Sequence, residues 1–258
     1  MIVPSGILFD LDGVIYQDGV LIDGAKSTIE LLNRAKIPYC FITNSTRRTK
    51  SGLVMHIEQM GLKTEESRVF AASHAAVEYC RMKNFKKMLL VVADSEMKKD
   101  YCSFDLVDKN PEVVVLGDMG TMFNFELLNR LFLDIMAGCQ IVAMHKNRYW
   151  IDSGTLKMDL GAFVSALEYA SGKKVVITGK PNRNFFMLAA RRLGCPPNMV
   201  YMVGDDIYAD IGGAKSAGMN AVLVKTGKFN ENLLSNSKIQ PDYVIKSIAD
   251  LPRIFGII

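Results

Sequence analysis

The chain has 258 residues, 49% of them hydrophobic and 22% charged, and its formal net charge at pH 7 is +4. This length holds one large domain or two of moderate size, and the small, evenly spread charge argues against nucleic acid or an anionic membrane as a partner. No apolar run reaches the ~18 residues of a membrane span, and the widely spaced cysteines indicate reduced thiols. We therefore expect a cytoplasmic protein.

Apolar runs alternate with helical patterns in the outer parts of the chain. In order, these pairs are GILF with AKSTIELLNRAK, YCFIT with TKSGLVMHIEQMG, KKVVIT with NFFMLAARRLG, and MVYMV with YADIGGAKSAG, followed by the run AVLVK. Such alternation predicts parallel strands joined by right-handed helical crossovers. The predicted fold class is therefore α/β, with a doubly wound parallel sheet.

A second set of elements lies in the middle of the chain. The runs KMLLVV, EVVVLG and QIVAMH predict strands, and NFELLNRLFLDIMAG and DLGAFVSALEYASG predict helices. About 100 residues with their own strands and helices are enough for a separate core. We predict a core domain at 1–76 and 177–258, with a smaller α/β domain inserted at 77–176.

Two aspartates, Asp10 and Asp12, follow the first apolar run, where the strand is expected to end. Functional sites of doubly wound sheets form at the carboxyl ends of strands. Two carboxylates this close raise each other's pKa, and the usual reason for such a pair is a bound cation or proton transfer. The alternative is an Asp-Gly turn that closes a hairpin.

Three further polar groups follow apolar runs: Thr43 in FITNST, Lys180 in ITGKPN and Asp205 in VGDDIYADI. Thr43 and the backbone after it can hold an anion at a helix start. Pro181 keeps Lys180 out of a regular helix, so its ammonium is presented from a loop. Magnesium takes oxygen ligands such as Asp205, while a lysine and a hydroxyl can hold phosphate oxygens. Together with Asp10 and Asp12, these groups predict a site that transfers or hydrolyses phosphoryl groups.

Several neighbouring residues belong to the prediction with less defined roles. Asn44 is added to the phosphate site because it follows Thr43, and Asp210 is predicted to support the metal ligands from outside. Asp206 either makes a water-mediated metal contact or caps the next helix. In the inserted domain, Arg148 and Tyr149 are candidates for substrate specificity, and Arg148 can pair with a carboxylate or a second phosphate.

The segments DLDGV, FITNST, GKPN and GDDIYAD, which span the chain, resemble the motifs of the haloacid dehalogenase superfamily of aspartate-nucleophile phosphatases. The resemblance implies that Asp10 is the nucleophile and Asp12 the general acid and base. It further implies that Asp10, the backbone carbonyl of Asp12 and Asp205 bind magnesium. Thr43 and Lys180 would then contact the phosphoryl group.

The long gap between FITNST and GKPN is similar to that of the p-nitrophenylphosphatase-like subfamily (subclass IIA). In that subfamily an α/β cap is inserted into a Rossmann-like core. VLIDGAKSTIELLN and NRYWIDSG also resemble that subfamily, which includes phosphatases for pyridoxal phosphate, phosphoglycolate, nucleotides and phospholysine. One departure is DLGAF at 159–163, where many relatives carry a proline-glycine-alanine-glycine run. A relative's substrate is therefore not transferred to this chain.

From these motifs we expect a magnesium-dependent phosphatase that hydrolyses small phosphorylated metabolites through an aspartyl-phosphate. The alternatives are a phosphotransferase and a non-catalytic phosphometabolite-binding protein on the same fold. Carbon-halogen hydrolysis is disfavoured by Asp12, because a halide leaving group needs no proton whereas an alkoxide benefits from a positioned acid. A homodimer is expected because caps of this size often pair.

Overall fold

The structure is a computed structural model that describes residues 4–152 and 155–257. The strands are, in chain order, β1 Gly6–Asp10, β2 Tyr16–Gln17, β3 Val20–Leu21, β4 Tyr39–Thr43, β5 Val69–Ala71, β6 Lys87–Val91, β7 Asp105–Leu106, β8 Val113–Leu116, β9 Gln140–Ala143, β10 Tyr149–Asp152, β11 Thr155–Met158, β12 Val176–Ile177, β13 Val200–Gly204, β14 Asn220–Val224 and β15 Tyr243–Ile245.

The α-helices are α1 Ala25–Arg34, α2 Lys50–Gln59, α3 Ala72–Met82, α4 Phe125–Met136, α5 Leu160–Ser171, α6 Arg183–Leu193, α7 Gly213–Ser216, α8 Glu231–Asn236 and α9 Leu251–Ile254. Short 3-10 segments lie at Glu66–Arg68, Ser95–Tyr101, Gly120–Met122, Pro197–Met199 and Ile248–Asp250, and a π-helical turn at Ile207–Gly212. Within the described residues, no helix has the length and apolar character needed to cross a membrane.

The chain divides into two compact units. The first consists of residues 4–43, 51–70 and 180–257, and the second of residues 44–50 and 71–179 without 153 and 154. The chain therefore passes between the units four times.

The first unit is built on a six-stranded sheet in the order β15-β14-β13-β1-β4-β5. The pairs from β15 to β4 are parallel, and β1, β4 and β13 are buried along their whole length. Continuous apolar runs such as these are typical of parallel strands that are covered on both faces. The carboxyl ends of β1, β4 and β13 therefore meet at one edge of the sheet.

The second unit has a five-stranded parallel sheet in the order β12-β9-β8-β6-β7. Residues of β8 alternate between two apolar clusters, with Val113 and Val115 in one and Val114 and Leu116 in the other. The first cluster includes α3 residues and the second includes residues of α4 and α5. Each face of this sheet therefore has its own core, and the predicted α/β fold class is confirmed.

Two predicted elements differ from the structure. KKVVIT, expected in the first sheet, forms only β12, which pairs with β9 in the second sheet. YADIGGAKSAG, expected as one helix, forms the π-helical turn 207–212 followed by the short α7. Gly213 begins α7 where a Cβ would lie 2.2 Å from the Phe186 ring, so α7 packs closely against α6 at this point.

Candidate active site

Asp10 ends β1, in the interior of the first sheet. Its Oδ1 accepts a hydrogen bond from the backbone amide of Leu11 at 2.7 Å and lies 2.8 Å from Nζ of Lys180. β1 pairs with β13 on one side and β4 on the other, which fixes the position of the backbone at Asp10. These contacts hold the Asp10 carboxylate in one orientation at the edge of the sheet.

Lys180 connects two of the predicted site carboxylates. Its Nζ lies 2.8 Å from Oδ1 of Asp10 and 2.7 Å from Oδ1 of Asp210, and the residue is only 3% exposed. Burial alone lowers the pKa of this lysine, but the Asp10 and Asp210 carboxylates outweigh burial and raise it. The two carboxylates therefore favour the charged form of Lys180, which sits in a turn before α6, as predicted from Pro181.

Asp10, Asp205 and Asp210 each offer a carboxylate oxygen, and these oxygens lie within 4.8 Å of one another. Burial, followed by the charge of Asp10, raises the pKa of both Asp205 and Asp210. Three hard oxygen donors in a small, nearly buried space suit Mg²⁺, which prefers carboxylate oxygens. Asp210, predicted as a supporting residue, lies inside this group and also binds Lys180.

The carboxylate of Asp206 caps the turn that follows it. Its Oδ1 accepts hydrogen bonds from the backbone amides of Tyr208 and Ala209, both at 2.9 Å. It therefore caps the turn 207–212, which is one of the two roles considered for it. The amide of Asp206 itself donates to Oδ2 of Asp210 at 3.2 Å, so this turn also orients Asp210.

Asp12 and Thr43 lie next to the strand ends that carry the carboxylates. Asp12 is exposed, and the hydroxyl of Tyr16 donates to its Oδ2 at 3.5 Å. Thr43 ends β4 and is 2% exposed, and the preceding Ile42 is the residue that pairs with Asp10 in the sheet. The predicted catalytic pair and the predicted phosphate contact Thr43 therefore lie at or just after the ends of adjacent strands of the first unit.

A loop that the sequence patterns did not predict contacts Asp205. The backbone amide of Lys228 donates to Oδ2 of Asp205 at 2.7 Å, and Gly13 and Gly227 lie against the same oxygen. Lys228 also lies near two acidic side chains, since Asp205 and Asp206 raise its pKa against the lowering effect of burial. The available signal was the TGK sequence directly after the predicted strand AVLVK.

The remaining predicted residues belong to the second unit. The side-chain amide of Asn44 donates to Oδ1 of Asn147 at 3.2 Å. Arg148 and Tyr149 are exposed. Arg148 lines a pocket of about 350 Å³ together with Lys146, Met158, Gly161, Ala162 and Ser165. This pocket gives the second unit a concave surface with two cationic side chains.

Comparisons with known proteins show that this chain is similar to hydrolases. A model of haloacid dehalogenase-like hydrolases matches residues 7–106, and a model of HAD-hydrolase-like proteins matches residues 177–251. A haloacid dehalogenase-like hydrolase domain-containing protein 2 from Bos taurus is 34% identical, and the match covers 92% of this chain and 89% of the relative.

Two phosphatases are also similar to the chain over nearly its whole length. Human phospholysine phosphohistidine inorganic pyrophosphate phosphatase is 30% identical, with 95% of this chain and 92% of that protein covered. The crystal structure of a 4-nitrophenylphosphatase from Thermotoga maritima superposes with a TM-score of 0.90 at 25% identity, covering 98% and 97% of the two chains.

Proposed function

The chain belongs to the haloacid dehalogenase-like hydrolase family, and we propose that it is a magnesium-dependent phosphatase that hydrolyses small phosphomonoesters through an aspartyl-phosphate. The observation that carries this proposal is the position of Asp10, whose carboxylate lies 2.8 Å from Lys180 at the end of a central strand. The names of the similar phosphatases support the same reaction class.

In the first half-reaction, a carboxylate oxygen of Asp10 attacks phosphorus and forms a new P–O bond. The ester P–O bond breaks, and Asp12 gives a proton to the departing oxygen. The hydrogen bond from Leu11 and the ammonium of Lys180 both act on Oδ1 of Asp10 and orient the nucleophile. Asp12 is exposed and can therefore exchange protons with a leaving group or solvent.

In the second half-reaction, water attacks phosphorus while Asp12, now ionised, takes its proton. The acyl-phosphate P–O bond breaks, inorganic phosphate leaves, and Asp10 returns as a carboxylate. Thr43, Asn44 and Lys180 are the proposed contacts of the phosphoryl oxygens in both steps. The position of Lys180 supports this role, because its ammonium lies 2.8 Å from the proposed nucleophile and is also held by Asp210.

Asp10, Asp205 and the backbone carbonyl of Asp12 are the residues that we propose hold magnesium, with Asp210 close by. The fit is supported by three carboxylate oxygens within 4.8 Å, a donor set that Mg²⁺ favours. When bound, the ion neutralises negative charge on the phosphoryl group and its carboxylate neighbours. Asp210 contributes through Lys180, whose ammonium it holds at 2.7 Å.

Residues outside these motifs would determine which phosphorylated substrates the enzyme accepts. We propose residues 77–176 as the cap domain, between core segments 1–76 and 177–258, and Arg148 and Tyr149 as its specificity residues. Both side chains are exposed, and Arg148 lines the cationic pocket of the second unit. We also propose that the protein forms a homodimer.

The test is phosphate release from p-nitrophenyl phosphate and a panel of small phosphorylated metabolites, with magnesium and with chelator. We expect metal-dependent release by the wild type and none by Asp10→Asn. Product formed in excess of phosphate when an alcohol is supplied would instead indicate a phosphotransferase. Binding of phosphorylated metabolites without turnover would contradict the phosphatase and favour a binding protein.

A further inference from the structure

Asp205 is held on one side by a loop that is distant in sequence. Oδ2 of Asp205 accepts a hydrogen bond from the backbone amide of Lys228 at 2.7 Å, and Asp205 itself is 3% exposed. A backbone donor has no rotamer to lose and holds an acceptor more rigidly than a flexible side chain does. The orientation of this carboxylate is therefore set by the position of the loop after β14.

Two glycines make this approach possible. A Cβ at Gly13 would lie 2.1 Å from Oδ2 of Asp205, and a Cβ at Gly227 would lie 2.0 Å from the same atom. Both glycines also have a left-handed backbone, with φ of +79° and +62°. Because any side chain at either position would collide with the carboxylate, the absence of a Cβ is what admits Oδ2 between the two loops.

A side chain joins these loops to each other. The hydroxyl of Thr226 donates to the backbone carbonyl of Gly13. A Cβ at Gly227 would lie 2.6 Å from Cα of Gly13, which shows how closely the two backbones pass. The loop after β1 and the loop after β14 therefore form one assembly around Oδ2 of Asp205.

We propose that this assembly, the Asp205 clamp, consists of Gly13, Thr226, Gly227 and the backbone amide of Lys228, and sets the affinity for magnesium. By engaging Oδ2, the clamp would hold the Asp205 carboxylate in one orientation for the cation. Its members are positioning residues, since they act on the metal through Asp205. The inference rests on the proposed function, because it takes the ion to be the one required for phosphate transfer.

The side chain of Lys228 has a separate effect, opposite in sign to that of its backbone. Its Nζ lies 4.0 Å from Oδ2 of Asp206, and the side chain is about a third exposed, at 32%. A cation near the acidic cluster repels Mg²⁺, whereas the amide orients a ligand for it. Substitution of the side chain keeps the amide, so the two contributions can be measured separately.

The test compares Gly227→Ala with Gly194→Ala in the full-length chain. Gly194 has nearly the same backbone, with φ of +68°, but a Cβ there meets nothing within 4 Å. The Kd for Mg²⁺ is measured by titration calorimetry without substrate, after circular dichroism has confirmed that both variants are folded. We expect Gly227→Ala to weaken binding about 10- to 100-fold, the range typical for residues that orient metal ligands, and Gly194→Ala to leave it unchanged.

Two further variants keep the proposal testable if Gly227→Ala does not fold. Thr226→Val removes the hydroxyl that joins the loops while keeping the shape of the side chain, and we expect weaker Mg²⁺ binding. Lys228→Met removes the charge but keeps the amide, and we expect binding that is unchanged or tighter. Weaker binding by Lys228→Met together with wild-type binding by Thr226→Val would overturn the clamp.

Equal Mg²⁺ affinities for Gly227→Ala and Gly194→Ala would also overturn the Asp205 clamp. That outcome is distinct from failure of the proposed function, which is judged by phosphate release from the wild type and Asp10→Asn. An enzyme that turns over with wild-type metal affinity in every clamp variant contradicts the clamp alone. A protein that binds Mg²⁺ through the clamp but never releases phosphate contradicts the phosphatase alone.

Discussion

Lys180 is the residue on which the charge balance of the site depends. Its ammonium lies within 2.8 Å of carboxylate oxygens of Asp10 and Asp210, and all three residues are largely buried. Removing one member of a buried ion pair leaves an uncompensated charge, at a cost of about 3–5 kcal/mol. Replacing the lysine would therefore destabilise the fold and also remove the group that holds the proposed nucleophile.

We expect Lys180→Met to slow phosphate release by about 100-fold or more, because it removes a preorganised positive charge from the phosphoryl site. The measurement is kcat for p-nitrophenyl phosphate at saturating magnesium. Lys99→Met is the matched control, since Lys99 is exposed and pairs with Glu96 in the second unit. Equal losses in the two variants would contradict a specific role for Lys180.

The raised carboxylate pKa values predict proton release on magnesium binding. Burial, with the nearby Asp10, raises the pKa of Asp205 and Asp210, so both retain protons above the pH at which a free aspartate ionises. A magnesium ion bound at Asp205 would favour the ionised form of both Asp205 and the nearby Asp210, so its affinity should rise with pH until both groups are ionised. Calorimetry in buffers of different ionisation enthalpy should show more protons released at about pH 6 than at about pH 8. Binding without proton release at the lower pH would contradict this account.

At the scale of secondary structure, strand ends were the most predictable feature. Asp10 and Thr43 end β1 and β4, and Asp205 follows β13, as continuous apolar runs before polar residues indicated. The contacts of Gly13 and Gly227 could not be predicted, because they depend on two loops more than 200 residues apart in sequence meeting at one carboxylate.

Hairpins show why a dipeptide alone is a weak signal. The Asp-Gly turn considered at Asp12 instead occurs at Asp18 and Gly19, which have φ of +50° and +78° and connect β2 to β3. The antiparallel pair β10 and β11 was not predicted either, although NRYWIDSG had been noted for its resemblance to relatives. Positive φ at both central residues is the backbone that such turns require, and it cannot be read from composition.

Helix α4 offers a test of local stability away from the site. The N-cap residue Asn124, which precedes the helix, accepts a hydrogen bond from the backbone amide of Leu127 through Oδ1, at 2.8 Å. We expect Asn124→Ala to lower the free energy of unfolding by about 1 kcal/mol and Asn124→Asp to preserve it. Denaturant unfolding measures the difference. A change in kcat comparable to that of Lys180→Met would contradict the separation of this helix from the chemistry.

At the scale of the whole molecule, the carboxylates and the lysine of the proposed chemistry belong to the first unit. Asp10, Asp205, Asp210 and Lys180 all lie there, although they come from separate parts of the chain. The second unit has its own sheet with an apolar cluster on each face. The order of motifs predicts an inserted second domain, and its bounds and its role stay predictions. Strand β12 was assigned to the wrong sheet, because two residues carry too little pattern to identify their partner.

The most direct test of the central claim is to trap phosphate on Asp10. The enzyme is mixed with substrate and magnesium, quenched in acid during turnover and treated with borohydride, which reduces an aspartyl-phosphate to homoserine. Peptide mass spectrometry then locates the modified residue. The account predicts homoserine at position 10, dependent on both substrate and magnesium, and none in Asp10→Asn. Trapping at a different aspartate, or phosphate release that persists in Asp10→Asn, would contradict it.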